Sequence, residues 1–313
     1  MYEYEKDTFA GLERYRVFHP GSGNSCTVIP GHGGHLQEVL LGGVSVIDGF
    51  ETEEELEKNF KSKSALLFPF PNRLKAGRYE HAGQHYQFPI NNPATGNAIH
   101  GIGRRVDMTL HSIELGEEEA DLHLRYEYTG DNPAYPFAFA FSLSYYFRAD
   151  GRFDLSLGLH NFSNVPIPAG IGWHPYFKLG ESVDALELKM PPVHQIQIDE
   201  YMIPTGAQST YRTFQDFRPI GDTTLDNGFY LPEQGGRAEV MLRKGPQQLH
   251  YWQETGSGKY NFIQVYTPPS RKSLALEPMT CNIDAFNNGD GLQVLEPGQG
   301  VMGGCGFYLM ENG

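Results

Sequence analysis

Four segments, far apart in the 313-residue chain, set polar residues of catalytic type into stretches that otherwise read as structure. In Phe68-Pro69-Phe70-Pro71-Asn72-Arg73, two prolines stiffen the approach to Arg73, whose guanidinium presents a planar fork of donors suited to hydroxyl groups. The turn-rich loop from Asn91 to Gly101 ends on His100, and Asn92 with His100 supplies both donors and acceptors, which is what a hydroxyl needs. In Gly172-Trp173-His174-Pro175-Tyr176-Phe177, aromatics flank the imidazole and offer an apolar pocket and a flat stacking surface. In Leu274-Ala275-Leu276-Glu277, a carboxylate ends an apolar run, so it must be paired, hydrogen-bonded or raised in pKa, as a general base is. Each residue also has a plain structural reading. Arg73 suits a surface loop, His100 and His174 suit satisfied structural positions, and Glu277 suits a hydrogen-bonding role.

The elements that must position these residues are strands. Phe137, Phe139, Phe141, Leu143 and Tyr145 alternate with Ala138, Ala140, Ser142 and Ser144, the period-two pattern of a half-buried strand. The pattern returns at Leu122, Leu124, Tyr126 and Tyr128, at Phe153, Leu155, Leu157 and Leu159, and more briefly at Leu186/Leu188 and Val240/Leu242. Turn signals at Thr129–Pro133, Ala149-Asp150-Gly151 and Gly235-Gly236 suit hairpins rather than crossover helices. One helix is expected, from Thr52 to about Phe60, with Thr52 and Glu55 as a capping box and acidic residues at the positive end of the dipole. No linker, low-complexity tract or fixed repeat divides the chain. The expectation is an all-β, antiparallel β-sandwich formed as one domain over residues 1–313, with a groove on one curved sheet.

Composition narrows the partners. A net charge of −14 repels phosphate backbones and anionic lipid, which disfavours nucleic acid and membrane surfaces and favours a small neutral ligand. No apolar run approaches the ~18 residues of a membrane span, and the opening MYEYEKDTF lacks the basic and apolar regions of a signal peptide, so the cytoplasm is the expected location. Cys26, Cys281 and Cys305 form neither a disulfide framework nor a zinc spacing and read as reduced, buried thiols. Self-association into a homodimer is left open.

Taken together, from about Asn72 to Leu295-Glu296-Pro297-Gly298, these segments resemble the aldose 1-epimerase (galactose mutarotase) family. The resemblance rests on Asn72-Arg73 with Gly77-Arg78-Tyr79, Asn91-Asn92 then His100-Gly101, His174-Pro175-Tyr176-Phe177, Asp226 before Phe229, and the late strand-end Glu277. It implies a mutarotase-like supersandwich that interconverts the α and β anomers of a free hexose such as galactose or glucose. Glu277 would be the base that takes the anomeric hydroxyl proton and His174 the acid that protonates the ring oxygen. Arg73, His100, Asp226 and Asn92 would bind the sugar. Such chemistry suits a carboxylate and an imidazole on opposite sides of the anomeric centre, and with no redox step it requires neither nicotinamide nor metal.

The chain departs from the better-known members, with Gly101-Ile102-Gly103-Arg104 after the first histidine in place of Gly-Gly, and Glu277-Pro278-Met279-Thr280 in place of Glu-Thr-Gln. It therefore reads as a divergent branch. Arg104-Arg105 reads first as a surface pair and second as a phosphate-binding fork, which keeps a hexose-6-phosphate 1-epimerase in play. A non-catalytic carbohydrate-binding protein is the alternative from another class.

Overall fold

Alternating side chains bury one face of each strand, and the computed structural model, which describes residues 1–58, 60–232 and 235–311, shows where those faces meet. Glu119–Tyr128, Phe139–Arg148 and Phe153–Asn161 pair in sequence as an antiparallel meander. Thr109–Leu115 flanks them on one side, and Gly300–Glu311, Gln247–Glu254, Arg237–Lys244, Glu187–Lys189 and Arg218–Pro219 continue the other, giving nine strands. A second, eight-stranded sheet runs Pro204–Tyr211, Val193–Ile198, Asp226–Tyr230, Phe262–Tyr266, Leu274–Met279, Gly172–His174, Ala65–Leu67, with Tyr176–Phe177 also paired to Leu274–Met279. An N-terminal five-stranded meander from Glu3–Phe9 to Val44–Ser45 precedes them. Every strand pairing within these three sheets is antiparallel, and the two large sheets make the expected β-sandwich.

The core is aromatic and continuous between the sheets. Phe177 meets Tyr251 and Phe307 across the gap at ring-centroid distances of 5.4 and 5.1 Å, and Phe153 stacks on Phe307 at 5.0 Å. Phe137 and Leu186 lie just before their strands rather than within them, yet both are buried. The expected helix covers Glu53–Lys58, residue 59 lies outside the described residues, and a 3-10 turn, Phe60–Ser62, follows. Thr52 Oγ1 accepts from the Glu55 N–H at 3.2 Å, while the Glu55 carboxylate accepts from Glu51 at 2.9 Å, one residue earlier than a capping box requires. A further short helix, Ala285–Asn288, carries no periodic signal because four residues cannot show one.

Two of the motif-bearing segments are tied to each other and to the core. Phe68 stacks on Phe141 of the nine-stranded sheet at 4.0 Å, which anchors the run leading to Arg73. The Phe68 carbonyl accepts from the Ile102 N–H at 2.8 Å, and the Asn72 carbonyl accepts from the His100 N–H at 2.8 Å. Gly101 permits this approach: its φ is +57°, and a Cβ there would stand 2.2 Å from the Phe68 carbonyl oxygen. Gly96, in the same loop at φ +70°, has nothing within 4 Å of an added Cβ.

The pair of glycines separates backbone conformation from close contact. Gly96→Ala should lose roughly 1–2 kcal/mol, the cost of a left-handed alanine, whereas Gly101→Ala should lose clearly more because the carbonyl cannot move aside. Urea-unfolding midpoints of the two variants provide the check. Equal losses would mean that the loop slides away from Phe68.

Candidate active site

Neighbouring strands of the eight-stranded sheet bring the polar residues into one row. Gln264 and Glu277 are direct cross-strand partners, and Gly228, two residues from Asp226 on the same face, pairs with Gln264. Gly172–His174 lies on the far side of the Glu277 strand, where Gly172 pairs with Met279. Alternation then divides the faces. Leu274, Leu276, Ile263, Val265 and Phe229 enter the core between the sheets, while Glu277, Gln264 and Asp226 open onto a cavity of about 370 Å³ on the opposite face. A volume at the low end of the ~300–1,000 Å³ range of small-molecule sites suits a single small ligand.

The same alternation corrects one expectation. Trp173 and Phe177 belong to the core and take no part in the cavity, while His174 and Tyr176 line it, their rings stacked 4.9 Å apart and 11° from parallel. The strand carrying Glu277 also runs on through Met279 rather than ending at the carboxylate. His174 Nε2 stands 3.4 Å from Glu277 Oε1, so acid and base candidates are adjacent on one face of a sheet rather than on opposite sides of an anomeric centre as expected, and His100 meets His174 edge-on at 5.2 Å. Both Asn72 and His100 adopt left-handed backbone, φ +54° and +66°, held by the hydrogen bond between them.

All six residues singled out in the sequence, Arg73, Asn92, His100, His174, Asp226 and Glu277, line this one cavity. Three further residues, Gln264, Lys61 and Ser62, were missed. Gln264 donates to Asp226 Oδ1 at 2.7 Å and its Oε1 accepts from Asn72 at 3.3 Å, while Asn72 Oδ1 accepts from Arg73 at 3.0 Å. The available signal for Gln264 was a lone amide inside the apolar strand Phe262–Tyr266. Lys61 and Ser62 also contribute from the turn after the first helix. Arg104-Arg105 is not the surface pair first expected: Arg105 is exposed, but Arg104 is half-buried and lines the cavity.

Electrostatics follow from burial. Burial pushes the Glu277 carboxyl well above its ordinary value, the Asp226 charge adds to the rise, and Arg73 opposes it. Burial likewise lowers His174 to about 3 and holds His100 well below 6.5. Arg73 Nε, His100 Nδ1, His174 Nδ1 and Glu277 Oε2 are buried without a protein partner, a concentration of polar atoms that points to a ligand. Candidate ligand atoms of His100, His174 and Glu277 lie within 4.8 Å of one another, so by residue type this trio could also hold a divalent metal. The three cysteines are buried and unbridged, and burial pushes the Cys26 thiol up to about 12, consistent with inert thiols. No helix among the described residues is long and apolar enough to cross a membrane.

Comparison with known proteins extends the picture. The uncharacterised protein YihR of Escherichia coli (strain K12) is 29% identical over 240 residues, covering 75% of each chain. A galactose mutarotase-like protein from Clostridium acetobutylicum superposes with a TM-score of 0.87 at 21% identity, covering 99% of this chain and 98% of that one. Galactose 1-epimerase from Lactobacillus acidophilus NCFM superposes at 0.83 with 18% identity, covering 100% and 99%. These low identities fit a divergent branch of the galactose mutarotase-like fold. The sequence profile described as aldose 1-epimerase matches residues 18–305, and with this the chain is placed: it belongs to the aldose 1-epimerase family.

Proposed function

We propose that the chain, acting as one unit over residues 1–313, interconverts the α and β anomers of a hexose by acid-base ring opening. The observation that carries this reading is the His174–Glu277 pair at 3.4 Å inside a cavity lined with sugar-binding residue types. The anomeric hydroxyl and the ring oxygen are bonded to the same carbon, so the groups serving them must stand within a few ångströms of each other. Glu277 takes the hydroxyl proton, His174 delivers one to the ring oxygen, and the freed aldehyde turns about C1–C2 before the transfers reverse. Arg73, His100, Asp226 and Asn92 hold the sugar, with Gln264 and Asn72 orienting Asp226 and Arg73.

The pair works with a single proton. Burial raises the Glu277 carboxyl and lowers His174, which favours the proton on Glu277 over the imidazole, while the positive charge of Arg73 favours the carboxylate. Sugar hydroxyls that donate to the carboxylate favour the same charged arrangement, so substrate binding moves the proton to His174 and readies both groups. Positioned acid-base groups of this type contribute roughly 10²–10⁴-fold.

Glu277→Gln should reduce anomeric exchange, measured by NMR with galactose and glucose, by about 10²–10⁴-fold while sugar binding persists. Full retention of exchange would remove this mechanism, and binding by a wild-type protein with no exchange would favour a carbohydrate-binding role. The pH profile of kcat/KM should be bell-shaped. It falls on the acid side as the pair gains a second proton, below pH 6.5 because burial lowers His174, and on the alkaline side as the single proton is lost. A lone limb centred near 6.5 would instead indicate an isolated imidazole. Because proton transfer to an oxygen needs no Lewis acid, exchange should survive dialysis against a chelator; activity lost on chelation and regained with a divalent ion would reassign His100, His174 and Glu277 as ligands.

A further inference from the structure

Arg104 is a cationic cavity residue that this chemistry does not use. It sits in the 3-10 turn Gly103–Arg105, which follows the His100-Gly101 step. Gly103 presses this turn against the strand Ala65–Leu67, since a Cβ there would lie 2.5 Å from the Leu66 carbonyl and 2.7 Å from the Phe68 ring. The turn is thereby held in place, with Arg104 facing the cavity and Arg105 exposed.

Three other buried or half-buried cations have carboxylate company. Lys63 pairs with Asp48 at 2.8 Å, Arg271 with Asp184, and Arg73 feels both Asp226 and Glu277. Arg104 has Ser62 Oγ at 3.4 Å, and no ion pair joins it to a carboxylate among the described residues. A guanidinium offers five donors in a plane, so one long bond to a hydroxyl leaves most of the fork available. The cavity as a whole carries Lys61, Arg73 and Arg104 against Asp226 and Glu277, a cationic surplus in a protein whose net charge is −14. A neutral hexose calls for donors and acceptors in balance. It gives no reason to keep an uncompensated guanidinium half out of water beside two buried histidines.

We propose that Arg104, with Ser62 beside it, recognises an anionic substituent of the substrate, so that the sugar is a hexose bearing a carboxylate, sulfonate or phosphate group away from its anomeric carbon. All three anions accept two parallel N–H bonds from one guanidinium, which makes Arg104 a specificity-determining residue. The inference rests on the reading of this cavity as a site of anomeric exchange and replaces the neutral hexose as its preferred substrate.

Full-length protein is assayed by NMR exchange with glucose, galactose, glucuronate, glucose 6-phosphate and 6-deoxy-6-sulfoglucose, each yielding kcat/KM. At least one anionic sugar should exceed both neutral ones by on the order of 10–100-fold, and the identity of that sugar names the anion. Arg104→Gln should collapse the anionic-to-neutral ratio toward unity, chiefly through KM. Arg104→Lys should retain part of the preference, as a point charge without the fork. Inorganic sulfate or phosphate, at constant ionic strength, should compete with sugar in the wild-type protein and not in Arg104→Gln.

Exchange of glucose and galactose at rates equal to or above every anionic sugar overturns the inference and leaves the epimerase reading standing. A uniform loss across all sugars in Arg104→Gln also overturns it, because that is the signature of a structural arginine. Absence of exchange with every sugar overturns both. If Arg104→Gln does not fold, the wild-type sugar series and Arg104→Lys decide the matter.

Discussion

A carboxylate in the interior of a sheet has to be compensated, and most of the geometry around Glu277 answers that requirement. Its strand, Leu274–Met279, is buried along its whole length and pairs on both sides. Water cannot stabilise the charge there, so stabilisation has to come from neighbouring side chains. Arg73 supplies the positive charge, and His174 supplies a partner with which a proton can be shared. The chain of amides and carboxylates through Asn72, Gln264 and Asp226 keeps Arg73 in place. These groups reach Glu277 from segments as far apart as the Asn72-Arg73 run and the late strands, so the compensation exists only once both ends of the chain are assembled.

Assembly of that kind depends on stiff supports. The Asn72-Arg73 run hangs from Phe68, which is stacked into the nine-stranded sheet, and His100 is fastened to Asn72 through the backbone. Gly101 and Gly103 let two stretches of backbone approach more closely than any side chain would allow. His174 is placed by its strand and by the Tyr176 ring stacked on it, and the Tyr176 hydroxyl donates to the Lys61 carbonyl at 3.0 Å. The site is therefore built on sheet and on short braced turns, which suits chemistry that needs two proton-transfer groups a few ångströms apart.

The charge of the cavity runs against the charge of the protein. A net charge of −14 repels polyanions, whereas a locally cationic cavity would favour a small anion at close range. Both properties coexist because screening limits the reach of the surface field to about 8–10 Å at ordinary ionic strength, while charges inside a partly dry cavity act on a ligand directly.

Much of the strand content was legible in the sequence, because alternation such as Phe139, Phe141, Leu143 and Tyr145 is a local property with a physical period. The candidate site residues were picked out by type and order, and each of the six lines one cavity. What the sequence could not supply was phase and register. In Gly172-Trp173-His174 every residue is buried, so the pattern does not say whether the tryptophan or the histidine faces the core. Gln264 reads as an oddity in an apolar strand until its register against Glu277 and its reach to Asp226 are seen. Arg104 and Arg105 are adjacent and chemically identical, yet one enters the cavity and the other meets solvent because a three-residue turn points them apart. Local sequence determines which elements form and which groups they carry. Only the tertiary structure decides which of those groups face one another, because that depends on pairings between strands more than a hundred residues apart.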